Sequence, residues 1–112
     1  MEEKFAYKPY VISDKFFDSR SDVYYFGLQR FGVLQAEKYD QKIEKAIEAL
    51  PEYYTYHSEC RHLRTKSRKY RNIILDAHLI VYRITDVRIE VLDIVHKASS
   101  ISKIRNVRKI RF

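Results

Sequence analysis

Six cations fall within eleven consecutive positions, at Arg61, Arg64, Lys66, Arg68, Lys69 and Arg71, with no acidic residue among them. Positive charge that dense and uncompensated repels itself, so the run reads as a surface for an anion. A phosphate backbone and an acidic protein segment are the two candidates. The stretch from His96 to Phe112 repeats the pattern with Lys97, Lys103, Arg105, Arg108, Lys109 and Arg111, again without an acid. His57, Cys60 and His62 sit close together, but a zinc site wants a fourth ligand at regular spacing, and none is visible. No metal or other cofactor is therefore expected, and Cys60 reads as an ordinary half-buried thiol. His96 ends a strand-like stretch, where a catalytic side chain can be presented, although a bond to backbone is the commoner use. Tyr53, Tyr54 and Tyr56 offer faces for stacking on bases, with packing over neighbouring helices the simpler reading.

Charge is distributed unevenly around these groups. Residues 1–59 carry 8 basic and 11 acidic side chains, net −3, whereas residues 60–112 carry 14 and 4, net +10. A length of 112 residues argues for one domain, residues 1–112, with a basic tail from about residue 97. Hydrophobic residues at 46% supply a core, and one cysteine fits a reducing cytoplasm. Met1-Glu2-Glu3-Lys4 leads into no apolar leader, and no run is long enough to span a membrane. With only 2 glycines there is no phosphate-cradling loop, which disfavours nucleotide-dependent chemistry.

The elements that must position these residues follow from periodicity. Tyr7–Ile12 reads as a strand, and Ser13-Asp14 caps a helix running to Phe31. Its expected buried stripe is Phe17, Tyr24, Leu28 and Phe31, widened by Phe16 and Val23, with Gly32 as the stop. A second helix from Val33 to Leu50 carries Ala36, Tyr39, Ile43, Ala46, Ile47 and Leu50 on one face and is closed by Pro51. So short a turn makes the pair an antiparallel hairpin. Three strands follow, Tyr70–Leu75, His78–Ile84 and Val87–Val95, joined closely enough to require an antiparallel meander. Alternation puts Tyr82 with Ile80 and Ile84 in the core and Arg83 on the other face with Leu79 and Val81, so Arg83 joins the candidate site. The apolar spacing of Ile101, Ile104, Val107 and Ile110 fits a helix laid on the sheet or a strand pairing with its edge, and a partial helix is the preferred reading. The class is α+β, in the order β-α-α-β-β-β.

That order resembles the RelE/ParE superfamily of toxins from type II toxin–antitoxin modules. So do Ala36…Tyr39…Ile43…Ile47…Leu50-Pro51, Leu63-Arg64, Tyr70-Arg71, Ile80-Val81-Tyr82-Arg83-Ile84 and Val91-Leu92-Asp93-Ile94-Val95-His96-Lys97. The resemblance implies a cytoplasmic growth inhibitor silenced by a cognate antitoxin, whose acidic, partly disordered segment wraps the toxin. RelE-like members cut mRNA on the ribosome with Lys and Arg side chains and often a Tyr or His. ParE-like members poison DNA gyrase.

Two positions where RelE-like toxins carry arginine hold Leu79 and Ala98 here, and their C-terminal tyrosine has no counterpart. A metal-free ribonuclease needs cations for the scissile phosphate and an acid–base pair, so these losses favour ParE-like action on gyrase. Ser99-Ser100 stand where ParE-like members usually have Arg-Asp. Under the alternative, a ribosome-dependent mRNA interferase, the resemblance assigns catalysis to Arg71, Arg83, His96 and Lys97. Under either reading Arg61, Arg64, Lys66, Arg68, Lys69, Arg71 and Arg83 are expected to bind the target or the antitoxin. A third reading is a non-toxic basic module that binds nucleic acid or antitoxin.

Overall fold

The computed structural model describes residues 7–112; Met1 to Lys4, read above for a leader, lie outside them. Strand β1 (Tyr10–Ile12) leads into helices α1 (Asp14–Phe31), α2 (Val33–Glu48) and α3 (Leu50–Tyr53). Strands β2 (Tyr70–Ile74), β3 (His78–Ile84) and β4 (Ile89–His96) form the meander, and α4 (Ile101–Asn106) with a 3-10 turn at Val107–Lys109 closes the chain. The sheet order is β1-β4-β3-β2.

Ser13 starts α1 by accepting from the Phe16 N–H at 2.9 Å while its hydroxyl donates to the Leu92 carbonyl at 2.6 Å. One buried side chain thus caps the helix and ties it to β4. At the hairpin turn Gly32 has φ 86, a region open to glycine. Its N–H closes α1 on Leu28 and its carbonyl accepts from Ala36 to open α2, both at 3.1 Å. Arg20 then clamps the two helices, reaching Asp40 and Glu44 at 2.8 Å each.

The sheet is covered on both faces. Phe16, Ile43, Ile47 and Leu50 pack on Ile80, Tyr82, Ile89, Val91 and Ile94. Cys60, Leu63, Ile104 and Val107 pack on Tyr70, Val81, Leu92 and Val95 from the other side. The partition of Ile80 and Tyr82 from Leu79 and Val81 follows the strand period. A bulge then lets β4 serve both layers: Val81 pairs with Asp93 and Tyr82 with Val91, leaving Leu92 as the extra residue. That double coverage explains the continuous apolar run at the end of β4.

Several expectations are corrected. The first strand is shorter than Tyr7–Ile12: Pro9 has no N–H for a ladder, although its carbonyl accepts from Ile89 at 2.8 Å. Because β1 reaches β4 through the helical crossover it pairs in parallel, so the sheet is mixed. Helix α2 ends at Glu48, and Pro51 opens the next helical turn, a position that requires no N–H. Phe17 and Phe31 are exposed, at 53% and 67%, and Phe16 is the fully buried residue of α1. Phe31 stands at the far end of α1, beyond Val23, the last residue of the helix packed on the sheet core, whereas Phe17 sits in the first turn and points outward because the buried stripe is set by its neighbour Phe16. Cys60 is fully buried, because its loop folds into the second layer.

Candidate functional site

The two ends of β3 carry different chemistry. At the Arg83 end, antiparallel pairing sets Tyr70 opposite Arg83 and Arg71 opposite Tyr82. The Arg71 guanidinium donates to the carbonyls of His57 at 2.8 Å, Thr55 at 3.1 Å and Arg68 at 3.3 Å. It staples the long loop to β2, and those bonds consume donors that a phosphate would need. Arg83 is mostly buried and meets Glu90 at 2.7 Å, while Arg88 holds the other Glu90 oxygen at 2.9 Å. Burial pushes the Glu90 carboxyl up, but the hydrogen bonds from Arg83 and Arg88 outweigh it and hold the group below the usual range. Arg83 also lies over the Tyr70 ring, 5.8 Å from its centroid.

Around this framework stand more open cations. Lys69 is exposed above Tyr70, and Arg88 covers the ring of Phe112 at 5.6 Å. Arg108, Lys109 and Arg111 arrive from the tail. Two adjoining clefts share Arg83: one of about 600 Å³ lined by Lys8, Arg68, Lys69 and Arg71, the other of about 430 Å³ lined by Arg88, Arg108, Lys109 and Arg111. Arg61, Arg64 and Lys66 lie exposed along the loop that leads into the first cleft. Arg68 adopts φ 56 at the end of a turn begun at Thr65, where its side chain faces Glu59 at 3.6 Å. The end of the basic loop and the last cations of the tail, Arg108, Lys109 and Arg111, therefore meet at one end of the sheet, whereas Lys97 and Lys103 lie toward the other.

At the opposite end β3 begins with His78, paired with His96, their rings 5.3 Å apart. The Ala77 N–H donates to the Tyr39 hydroxyl at 3.2 Å, and that hydroxyl lies 2.9 Å from His78 Nδ1. Burial, then the neighbouring His96, lower the His78 pKa. His96 itself is exposed, its Nδ1 accepting from the Ala98 N–H at 3.0 Å. Nearby Asp93 is buried and accepts from the Ile94 N–H at 2.9 Å, and burial holds its carboxyl above the usual range. A cleft of about 340 Å³ joins Asp93 and His96 to Lys15, Ser19 and Lys103.

The residues proposed for a ribonuclease are thus not brought together. Arg71 and Arg83 lie at one end, His96 and Lys97 at the other, five residues of strand apart, or roughly 17 Å. His57 packs edge-on against Tyr82 at 6.2 Å, and Cys60 points into the second core layer. Among the described residues no group of three or more His, Cys, Asp or Glu side chains is placed to hold a metal ion. Tyr54 is buried and its carbonyl accepts the Tyr82 hydroxyl at 2.5 Å, whereas Tyr53 and Tyr56 are exposed. Sequence reasoning missed Glu90 as the hub of two arginines. The signal was present, since Arg88 and Glu90 share a strand face and Arg83 is on the neighbouring strand's matching face.

Residues 10–101 match the family described as "ParE toxin of type II toxin-antitoxin system, parDE". Toxin ParE1 of Caulobacter vibrioides is 29% identical over 91 residues, covering 81% of this chain and 91% of that protein. A solved structure titled "Chromosomal ParDE TA system from P. aeruginosa" superposes with a TM-score of 0.67 at 16% identity, over 81% of this chain and 97% of the other, a likeness of fold.

Proposed function

This chain belongs to the ParE toxin family of type II toxin–antitoxin systems, and from that premise we propose that it arrests growth by acting on DNA gyrase in the cytoplasm. The observation that carries the choice of target is the separation of the ribonuclease set. General acid–base cleavage needs its groups within hydrogen-bond reach of one phosphate, and here they stand at opposite ends of a strand. Arg71 and Arg83, moreover, are held by backbone carbonyls and by Glu90. The toxin acts by binding, and its cations are contact residues. Arg61, Arg64, Lys66, Arg68 and Lys69 face solvent on the loop and serve the acidic antitoxin or the target, while Arg71 and Arg83 maintain the surface from below. No helix among the described residues is long and apolar enough to cross a membrane, in keeping with a site of action at gyrase.

Inducible expression in a bacterial host, with and without the cognate antitoxin, tests this reading. Expression alone should stop growth and raise gyrase-dependent DNA breaks, and the antitoxin should restore growth. Codon-register cleavage of mRNA without DNA breaks would return the ribonuclease reading, with Arg71, Arg83, His96 and Lys97 as its candidates.

A further inference from the structure

The paired clefts around Arg83 differ in kind from the cleft beside the helical hairpin. Between the helical hairpin and the β2–β3 turn lies a cleft of about 370 Å³ lined by Val23, Phe26, Phe31, Ala36 and Tyr39, suited to the apolar side chains of a polypeptide. The Arg83 clefts are lined mainly by cations instead, with Asp86 the one acidic residue of the first and Glu90 that of the second. Lys69, Arg108, Lys109 and Arg111 are exposed there and have no ion-pair partner among the described residues. Glu90, the carboxylate beneath them, is already spanned by two arginines and cannot neutralise more. Of the aromatic side chains at this end, Tyr70 is buried beneath Lys69 and Arg83, and Phe112, half exposed, lies against Arg88, so no continuous apolar groove like that of the hairpin cleft opens here.

We propose that this end of the sheet is a contact surface for the phosphate backbone of duplex DNA. Lys69 from the loop and Arg108, Lys109 and Arg111 from the tail are its anchors. A polyanion with regularly spaced charge and no apolar side chains is the ligand whose chemistry the clefts match, and counterion release supplies the driving force. The contact proposed is to phosphate alone, and such a contact is independent of sequence. The surface deepens the gyrase reading, on which it rests for the source of the DNA: the toxin would engage the duplex that the enzyme holds as well as the enzyme.

The test is fluorescence anisotropy of a labelled duplex titrated with the purified full chain at several salt concentrations. The double variant Arg108→Glu with Arg111→Glu is compared with Lys38→Glu with Lys45→Glu, an equal charge change on the exposed side of α2. Unchanged thermal melting verifies that both variants fold. The wild-type chain should bind with a steep salt dependence. The tail variant should lose at least tenfold in affinity, with its log–log salt slope reduced by about 2, near 0.9 for each lost phosphate contact. The α2 variant should stay within about threefold. Equal losses in both variants would reduce the effect to net charge and overturn the proposal, as would tighter binding of single-stranded RNA or of an acidic peptide. Gyrase cleavage is read separately. Cleavage by wild-type chain that shows no DNA affinity sinks this surface and spares the gyrase reading, whereas DNA binding without cleavage does the reverse.

Discussion

The two ends of β3 are built from the same strands and put charge to opposite uses. At the Arg83 end two arginines are spent on structure, Arg71 against three carbonyls and Arg83 against Glu90, and more exposed lysines and arginines stand above them. At the His78 end the central polar groups are bonded to one another or to backbone: the Tyr39 hydroxyl meets His78, and the Ala98 N–H serves His96. Cations close together thus need not form an active site. What separates a framework arginine from a binding one is whether its donors are already engaged. The largest expected effect tests that division. Arg71→Ala orphans the carbonyls of Thr55 and His57 and releases the loop, and should cost about 3 kcal/mol in urea unfolding. If Arg71 is mainly a ligand-binding residue, stability will hardly move and only binding will fall.

Glu90→Gln probes the same end from below. The amide leaves Arg83 and Arg88 facing each other without a counter-charge, at an expected cost of about 2 kcal/mol, below the buried-pair range because Arg88 keeps contact with solvent. The sign with pH follows from the lowered Glu90 pKa. The wild-type chain keeps the Glu90 contribution above the unfolded carboxylate range and loses it as pH falls through the folded value. The gap between wild type and variant should therefore close in acid. A constant gap from pH 7 to pH 3 would assign the loss to packing.

Much of this contrast was legible in the sequence, and the rest was not for identifiable reasons. The cap at Ser13, the turn at Gly32 and the meander are local, each set by a few neighbouring residues. Alternation was enough to set Tyr82 and Arg83 on opposite faces. Phe31 misled because helical periodicity does not record where the sheet beneath a helix ends, and Phe17 because two adjacent phenylalanines leave the phase of the stripe open by one residue. The convergence of the basic loop with the tail depends on α4 crossing the second face of the sheet, a long-range packing event carried by Ile104 and Val107. The engagement of Arg71 escaped for a related reason: its acceptors are backbone carbonyls, which every residue type supplies.

The smallest effect belongs to the His78 end. His78 titrates below the ordinary histidine range because of burial and then His96, and His57 does so because of burial and then Arg71. In each case the unfolded chain takes up its proton first as pH falls, so stability declines from the unfolded histidine pKa, about 6.5, down to the folded value. His78→Asn separates the two contributions. Its side-chain amide offers both an acceptor and a donor where Nδ1 stood and can keep the bond to the Tyr39 hydroxyl, while the titrating ring is gone. At pH 7.5 the variant should melt close to wild type. Between pH 6.5 and 5 its stability should fall less steeply, keeping the part of the slope that His57 provides. An unchanged slope would mean that His78 protonates as readily in the fold as outside it. The Tyr39 bond would then be no barrier to charging this end, and the contrast with the permanently cationic Arg83 end would weaken.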